Sequence, residues 1–339
     1  MQAAITAIEA YLPEQRLTNE DLAAQFDGWT PEKIMAKTGI RERRLAGPDE
    51  CSSDLAVKAA ERLFASGRCR REEIDYILFV TETPDHLLPP TACLVQHRLG
   101  LGTVTGVVDL NQGCSGYVYG LGLARGLVET GQARCVLLLT ADTYSKLLHP
   151  GDKSVRTLFG DAGAATIIRA VDHGGPSLGP FVYGSDGTGA PHLIVPAGGM
   201  RQRYRDDAEV ITDKRGNTRT ANNLFMDGGE VYRFVLRAVP QCVNQLASVA
   251  GISLDQVDVF VFHQANVTML EEVGRCLKIP PEKLVLAMEL TGNTVSASIP
   301  LALRYAASAG ILRPGQLAML VGFGVGYSWA GMLVRWTGI

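Results

Sequence analysis

The feature that most limits the folds open to this chain is an internal repeat. In the first half, a helix ending at Ala60–Gly67 is followed by Arg71–Ile74 and then by the apolar strand and loop DYILFVTETPD from Asp75. In the second half, a helix ending at Gln245–Gly251 is followed by Leu254–Val257 and by DVFVFHQAN from Asp258. Some 35 to 40 residues later each half has a turn of small residues that opens a helix, QGCSG around Cys114 and GNTVSAS around Asn293. Cys114 to Gly131 and Asn293 to Gly310 both span seventeen residues, and each glycine is followed by another apolar strand, ARCVLLLTAD or GQLAMLVGFG.

Strands alternating with amphipathic helices over short connections imply mainly parallel or mixed sheets covered by helices. Duplication of such a unit implies a layered α/β fold whose halves are related by a pseudo-twofold axis, with equivalent loops meeting. The halves are expected at residues 1–172, carrying Cys114, and 173–339, carrying His263 and Asn293. Residues 197–223 break the pattern. They are polar and rich in Arg and Asp, and read as an excursion from the fold, a lid or rim.

The 339 residues, 46% hydrophobic and 20% charged, suffice for one large core or two smaller ones. The formal charge of −3 gives no global attraction to nucleic acid. No apolar run has membrane-spanning length, and the N-terminal residues lack a basic start followed by a cleavable apolar stretch, so the expected compartment is the cytoplasm. The seven cysteines form no CxxC pair and sit in scattered, mostly apolar settings. Reduced thiols are therefore expected, with no disulfide framework and no metal site. The RERR run (Arg41–Arg44) and GRCRR (Gly67–Arg71) read as solvated basic surface, His86 and His149 as loop residues without a role, and Asp161 as structural.

Cys114 lies between an apolar strand and a helix, where unpaired N–H groups and the helix dipole are expected to favour thiolate over thiol. Taken singly, Cys114 is a buried cysteine, His263 a satisfied polar group ending a strand, and Asn293 an N-cap. Their shared placement at repeat-equivalent junctions argues for convergence. A thiol-protease arrangement fits poorly, because nothing near Asn293 suggests that it orients His263. Carbon–carbon bond formation between thioesters fits better. Cys114 would take an acyl group, and His263 and Asn293 would donate hydrogen bonds to the carbonyl of a malonyl thioester as it loses CO2. That chemistry needs no metal, flavin or nicotinamide. The C-terminal GFGVGYSWAG fails as a dinucleotide fingerprint, having no following βαβ unit. It suits a turn whose backbone N–H, at Val325, joins that of Cys114 in an oxyanion hole.

These residues resemble the β-ketoacyl-acyl carrier protein synthase III family, initiating condensing enzymes of thiolase fold. The resemblance runs through KTGIRERR (Lys37–Arg44), the Cys114 segment, LFGDAGAAT (Leu158–Thr166), MDGGEVYRF (Met226–Phe234), HQAN (His263–Asn266), GNTVSAS and GFGVGYSW. It implies Cys114, His263 and Asn293 as catalytic residues and a homodimer. It also implies a malonyl–acyl carrier protein extender, and a primer from acyl-CoA or a phosphopantetheine-linked carrier protein. No permanently bound cofactor is expected. Where the family stacks adenine between Trp and Arg, this chain has Lys33 and Lys153, leaving Trp29, Lys37 and Arg156 as further candidates for the CoA or phosphopantetheine arm. Thr268 replaces a carrier-docking arginine, so Arg275 and Lys278 are the remaining docking candidates. Leu88 replaces a phenylalanine at the acyl-pocket wall across the dimer, implying a longer or branched primer, and Val325 replaces a glycine. Two other outcomes keep the fold: acyl transfer from Cys114 to an alcohol or amine, and a non-catalytic partner subunit of a condensing heterodimer.

Overall fold

Alternation along the strands decides the layers. In Tyr76–Val80, Ile77 and Phe79 point into one apolar cluster while Leu78 and Val80 point into another. In Val259–Phe262, Val259 and Val261 join that second cluster, and Phe260 and Phe262 turn away into a third. Side chains of period two thus commit each sheet to helices on both faces, with one helix layer shared between the sheets.

The structure, a computed structural model, describes residues 1–171 and 178–338, so the expected boundary between 172 and 173 lies outside the described residues. The first sheet contains β1 (Gln2–Tyr11), β2 (Tyr76–Val80), β3 (Gly106–Leu110), β4 (Cys135–Asp142) and β5 (Ala162–Val171), in the spatial order β3-β2-β4-β5-β1. The second contains β6 (Leu178–Ser185), β7 (Val259–Phe262), β8 (Leu317–Gly324) and β9 (Ser328–Arg335), in the order β7-β8-β9-β6. Both sheets are mixed. β2 is parallel to β3 and β4, and β7 is parallel to β8, whereas β5 runs antiparallel to β1 and β4, and β9 antiparallel to β6 and β8. The counterpart of β3 in the second sheet shrinks to a single parallel bridge between Phe260 and Leu284.

An aspartate starts the same turn in both halves. The Asp75 carboxylate accepts from the N–H groups of Arg134 and Cys135, at 2.6 and 3.0 Å, where β4 begins. The Asp258 carboxylate accepts from the N–H of Leu317, at 2.8 Å, where β8 begins.

Helices α1 (Ser52–Ala65) and α2 (Thr91–Arg98) cover the outer face of the first sheet. Helices α4 (Gly228–Ala250) and α5 (Val267–Leu277) cover the outer face of the second. Between the sheets lie α3 (Gly116–Glu129) and α6 (Ser298–Ser308), the helices that follow Cys114 and Asn293. Residues such as Val118 and Leu121 of α3, with Ile299 and Leu303 of α6, fill the interior together with Leu138 of one sheet and Leu320 of the other. The fit is close enough to exclude side chains, since a Cβ on Gly120 would lie 2.6 Å from Leu138 Cδ1. Gly120→Val should therefore lower the unfolding temperature, at a cost of about 1–3 kcal/mol. Gly126→Ala, on the exposed face of α3 with nothing within 4 Å, should raise it by about 0.5–1 kcal/mol in stability. Thermal unfolding followed by circular dichroism checks both signs.

Candidate active site

Cys114 occupies the turn from β3 into α3, 7% exposed. The end of β8 crosses directly over it. A Cβ on Gly324 would lie 2.6 Å from the Cys114 sulfur, and one on Gly322 would lie 2.6 Å from the Ser115 Cα. Only glycine permits this crossing, which also brings the N–H of Val325 to the sulfur. The N–H groups of Val325 and of Cys114 itself both favour negative charge there. Ser115 and Ser328 tie the same crossing through their hydroxyls, 2.7 Å apart.

The expected thiolate is not what this environment favours. Burial pushes the Cys114 thiol well above its ordinary pKa, the Glu82 carboxyl adds to that rise, and Asp142 adds a smaller contribution. The Val325 and Cys114 N–H groups oppose these effects without overturning them. A helix N-terminus is a partial charge, and here it competes with desolvation in a dry site.

His263 follows β7 and is held by a hydrogen bond from its N–H to the Val321 carbonyl on β8, at 2.8 Å. Its ring meets Phe323 edge-on, with centroids 5.5 Å apart, and burial lowers its pKa to about 3. The imidazole is therefore neutral. Its Nδ1 lies 2.7 Å from the Ser298 hydroxyl at the start of α6. With that hydroxyl donating, Nε2 carries the ring proton.

Asn293 is pinned across the seam between the halves. Its N–H donates to the Leu158 carbonyl at 2.9 Å, and its carbonyl accepts from Gly160 at 3.0 Å. Its side-chain Oδ1 accepts from the Val295 N–H at 3.0 Å, leaving Nδ2 with no hydrogen-bond partner among the described residues. Val295, a buried β-branched residue, adopts φ 52° to make that bond. Left-handed valine is strained, and such strain persists only where its surroundings impose it.

Cys114, His263 and Asn293 all line one cavity of about 360 Å³. Its walls are otherwise mostly apolar, including Phe159, Val235, Met269 and Phe323. Donors that face a buried apolar cavity act in low dielectric, where each hydrogen bond is worth more than in water.

The other sequence candidates fall in two places. Trp29 is flanked by two cations, the Lys33 and Lys37 ammonium groups lying 5.3 and 5.0 Å from its ring centroid. Arg156 donates to the Gln25 side chain at 2.9 Å, joining the Lys153–Arg156 helix to this neighbourhood. The Lys37 carbonyl accepts from the Thr268 hydroxyl at 3.0 Å, so this cluster adjoins the start of α5, whose N-cap Asn266 lines the cavity. Arg275 and Lys278 lie at the far end of α5, about 14 and about 18 Å along its axis from Asn266. Arg275 is there paired with Glu272. Leu88 is 80% exposed and lines neither the Cys114 cavity nor its neighbour within its own chain.

Three readings need correction or completion. RERR is not wholly surface: Arg43 is fully buried, bonding the Asn19 side chain and the Thr157 carbonyl. Burial lowers its pKa to about 10. The excursion at 197–223 contains a short hairpin, the exposed Ile211–Thr212 with the half-buried Thr218–Arg219, tied to the body by Thr218 N–H on the Gly151 carbonyl at 3.1 Å. Asp161 accepts from Ala46 and Ser145 N–H groups, at 2.8 and 2.9 Å.

The acids that end β2 and β4 escaped the sequence reading. Asp142 accepts from the N–H groups of Glu82 and Ser296, at 2.8 and 3.2 Å, and so ties both central strands to the Asn293 loop. Glu82 accepts a 2.7 Å bond from the Tyr144 hydroxyl. An acid directly beyond an apolar strand, as in FVTE and LLLTAD, was the available signal. Among the described residues, no group of three or more His, Cys, Asp or Glu is arranged to hold a metal ion, and no helix is long and apolar enough to cross a membrane.

The layered architecture of two like halves is that of the thiolase-like condensing enzymes. Residues 108–187 match 3-oxoacyl-[acyl-carrier-protein (ACP)] synthase III, and residues 247–336 match the C-terminal part of the same family. The β-ketoacyl-[acyl-carrier-protein] synthase III of Caldanaerobacter subterraneus is 36% identical over 335 residues, covering 99% of this chain and 98% of the relative. A crystal structure of a 3-oxoacyl-(acyl-carrier-protein) synthase III superimposes with a TM-score of 0.97 at 53% identity, covering 99% of this chain and 100% of that one. That of Thermus thermophilus superimposes at 0.86 with 38% identity, over 99% of each chain. The chain belongs to the β-ketoacyl-acyl carrier protein synthase III family, and is a condensing enzyme, a transferase of lipid metabolism.

Because only thiolate reacts with alkylating agents, the raised thiol pKa carries a sign. Alkylation of Cys114 by iodoacetamide should climb about tenfold per pH unit from about pH 7 to 9 without levelling. Peptide mass spectrometry measures it; a plateau below about pH 8 would mean that the helix N-terminus outweighs burial.

Proposed function

We propose that the chain catalyses a decarboxylative Claisen condensation between an acyl primer held on Cys114 and a malonyl thioester presented by an acyl carrier protein. One observation carries this reading: Cys114, His263 and Asn293 line a single apolar cavity, and the latter two meet it as neutral groups.

In the first half-reaction the Cys114 thiol gives up its proton and its sulfur attacks the primer's thioester carbonyl. The N–H groups of Cys114 and Val325 hold the oxyanion. The carbon–sulfur bond to the CoA or carrier thiol breaks, and that thiol departs with a proton. In the second, the malonyl thioester carbonyl accepts hydrogen bonds from His263 Nε2–H and Asn293 Nδ2–H. The bond to its carboxylate breaks, CO2 leaves, and both donors stabilise the enolate oxygen. The enolate carbon attacks the acyl-Cys114 carbonyl, a carbon–carbon bond forms, and the bond to the Cys114 sulfur breaks to release a 3-oxoacyl thioester and a Cys114 thiolate, which takes a proton from water to restore the thiol. Neutral donors suit this step because they favour the developing charge without trapping the malonyl carboxylate as an ion pair.

The remaining assignments follow the same path. Trp29, Lys33 and Lys37, with Lys153 and Arg156 nearby, would receive the phosphate-bearing arm of CoA or of a carrier at the mouth. Lys278 would meet an acidic carrier more readily than Arg275, whose charge Glu272 already answers. In a homodimer, the exposed Leu88 would reach the acyl pocket of the second copy. Two enolate donors have no task in simple transfer to an alcohol or amine, and intact Cys114 and His263 have none in a non-catalytic subunit.

Cys114→Ala should abolish covalent labelling by radiolabelled primer; persistent label would remove the nucleophile assignment. His263→Ala should cut CO2 release from malonyl thioester by about 10²–10³-fold while self-acylation survives. Equal loss of both half-reactions would contradict the separate role given to His263.

A further inference from the structure

Behind the Val325 turn lies a second cavity, of about 350 Å³, whose polar lining the condensation chemistry leaves unexplained. It adjoins the first: Leu193 lines both, and Val325, whose N–H reaches the Cys114 sulfur, lines the second. An acyl group on Cys114 has its carbonyl oxygen held at that N–H, so its chain can continue past Val325 into this space. The cavity is not a plain apolar slot. Leu147, Val195 and Leu224 line it, but so do Glu82, Asn111 and Tyr144.

Glu82 is the unusual member. Its Oε2 accepts the Tyr144 hydroxyl, while Oε1 has no hydrogen-bond partner among the described residues. The Asn111 side chain, exposed, lines the same space. No cation offsets the Glu82 carboxyl: the neighbours that act on it are Asp142, a like charge, and Tyr144. Burial first and Asp142 second push it up to about 8. Asp142 is fully occupied by N–H and hydroxyl donors from Glu82, Thr81 and Ser296, so it supports the position of Glu82 without competing for a ligand. Held mostly protonated near neutral pH, the half-buried carboxyl is left unpaired by any chain that fills the cavity without a partner for it: an amino group takes that proton and pairs with the carboxylate as ammonium, and a hydroxyl bonds the acid directly. A plain hydrocarbon chain would seal that oxygen away from water and give nothing back.

We infer that the acyl group loaded on Cys114 is a short chain bearing a hydrogen-bond donor, a hydroxyl or an amino group, which the Glu82 carboxyl receives. The inference rests on the acyl-Cys114 reading above and adds to it the class of primer. Sites built to bond a polar group reject analogues that lack it far more strongly than apolar pockets reject an extra methylene.

The test uses the purified full chain with pantetheine thioesters, the handle common to CoA and carrier proteins. Butyryl, 3-hydroxybutyryl and 3-aminobutyryl pantetheine are compared by the rate at which each adds mass to Cys114, read by intact-protein mass spectrometry. At least one donor-bearing primer should load roughly tenfold or more faster than butyryl. Glu82→Leu should reverse that order, speeding butyryl and slowing the donor-bearing primer. Glu82→Gln, which keeps an acceptor oxygen but no charge, should spare the hydroxyl primer more than the amino one, and serves also if the leucine variant does not fold. Equal or faster loading of butyryl in the unaltered protein, with ratios unmoved by either variant, overturns the inference and leaves the acyl-enzyme reading standing. Loading by none of the three overturns both.

Discussion

Everything at the site is referred to one crossing, where β8 of the second half passes over the Cys114 turn of the first with no room for a side chain at Gly322 or Gly324. The same strand holds His263 through the Val321 carbonyl and delivers the Val325 N–H one residue beyond the crossing. Cys114, His263 and the Val325 N–H are therefore positioned by one rigid element, not by three loops. Asn293 is fixed independently, by backbone bonds to Leu158 and Gly160 of the opposite half. Each half on its own would hold an incomplete set.

The electrostatic character follows from that closeness. A crossing that excludes side chains also excludes water, and desolvation dominates the pKa of both Cys114 and His263. It favours the uncharged state of each, the thiol and the free imidazole. The two carboxyls of the site, Glu82 and Asp142, sit behind Cys114 at the ends of β2 and β4; burial raises the pKa of both, and among the described residues neither forms an ion pair with a basic side chain. The machinery for holding negative charge is thus made of N–H dipoles, which cost no counter-ion and need no rearrangement as charge develops.

Much of this was legible in the residues. Repeat spacing alone linked the Cys114, His263 and Asn293 junctions, because a duplicated unit puts equivalent strand ends together and strand ends are where α/β sites form. The matched aspartates Asp75 and Asp258 were visible as part of the repeat, though their work as staples on the next strand needs the pairing to be seen. Depth was not legible. A helix behind a cysteine says thiolate; the burial that says otherwise, and the Glu82 and Asp142 carboxyls that add to it, come from strands about thirty residues away on either side, and no local pattern reports them. Arg43 was hidden for a like reason. In RERR it looks the same as its neighbours, yet in the strand it forms with them it turns inward to the Thr157 carbonyl.

Val295 sits at the seam in a conformation its side chain resists. A glycine there would reach φ 52° without strain, yet the chain keeps a β-branched residue whose side chain is wholly enclosed. The bulk that makes the conformation uncomfortable is also what prevents the turn from relaxing, so the Asn293 amide is held with its oxygen turned inward and its nitrogen outward. An amide free to flip would offer the cavity an acceptor half the time. In this loop discomfort of the backbone is the source of polarity that points one way.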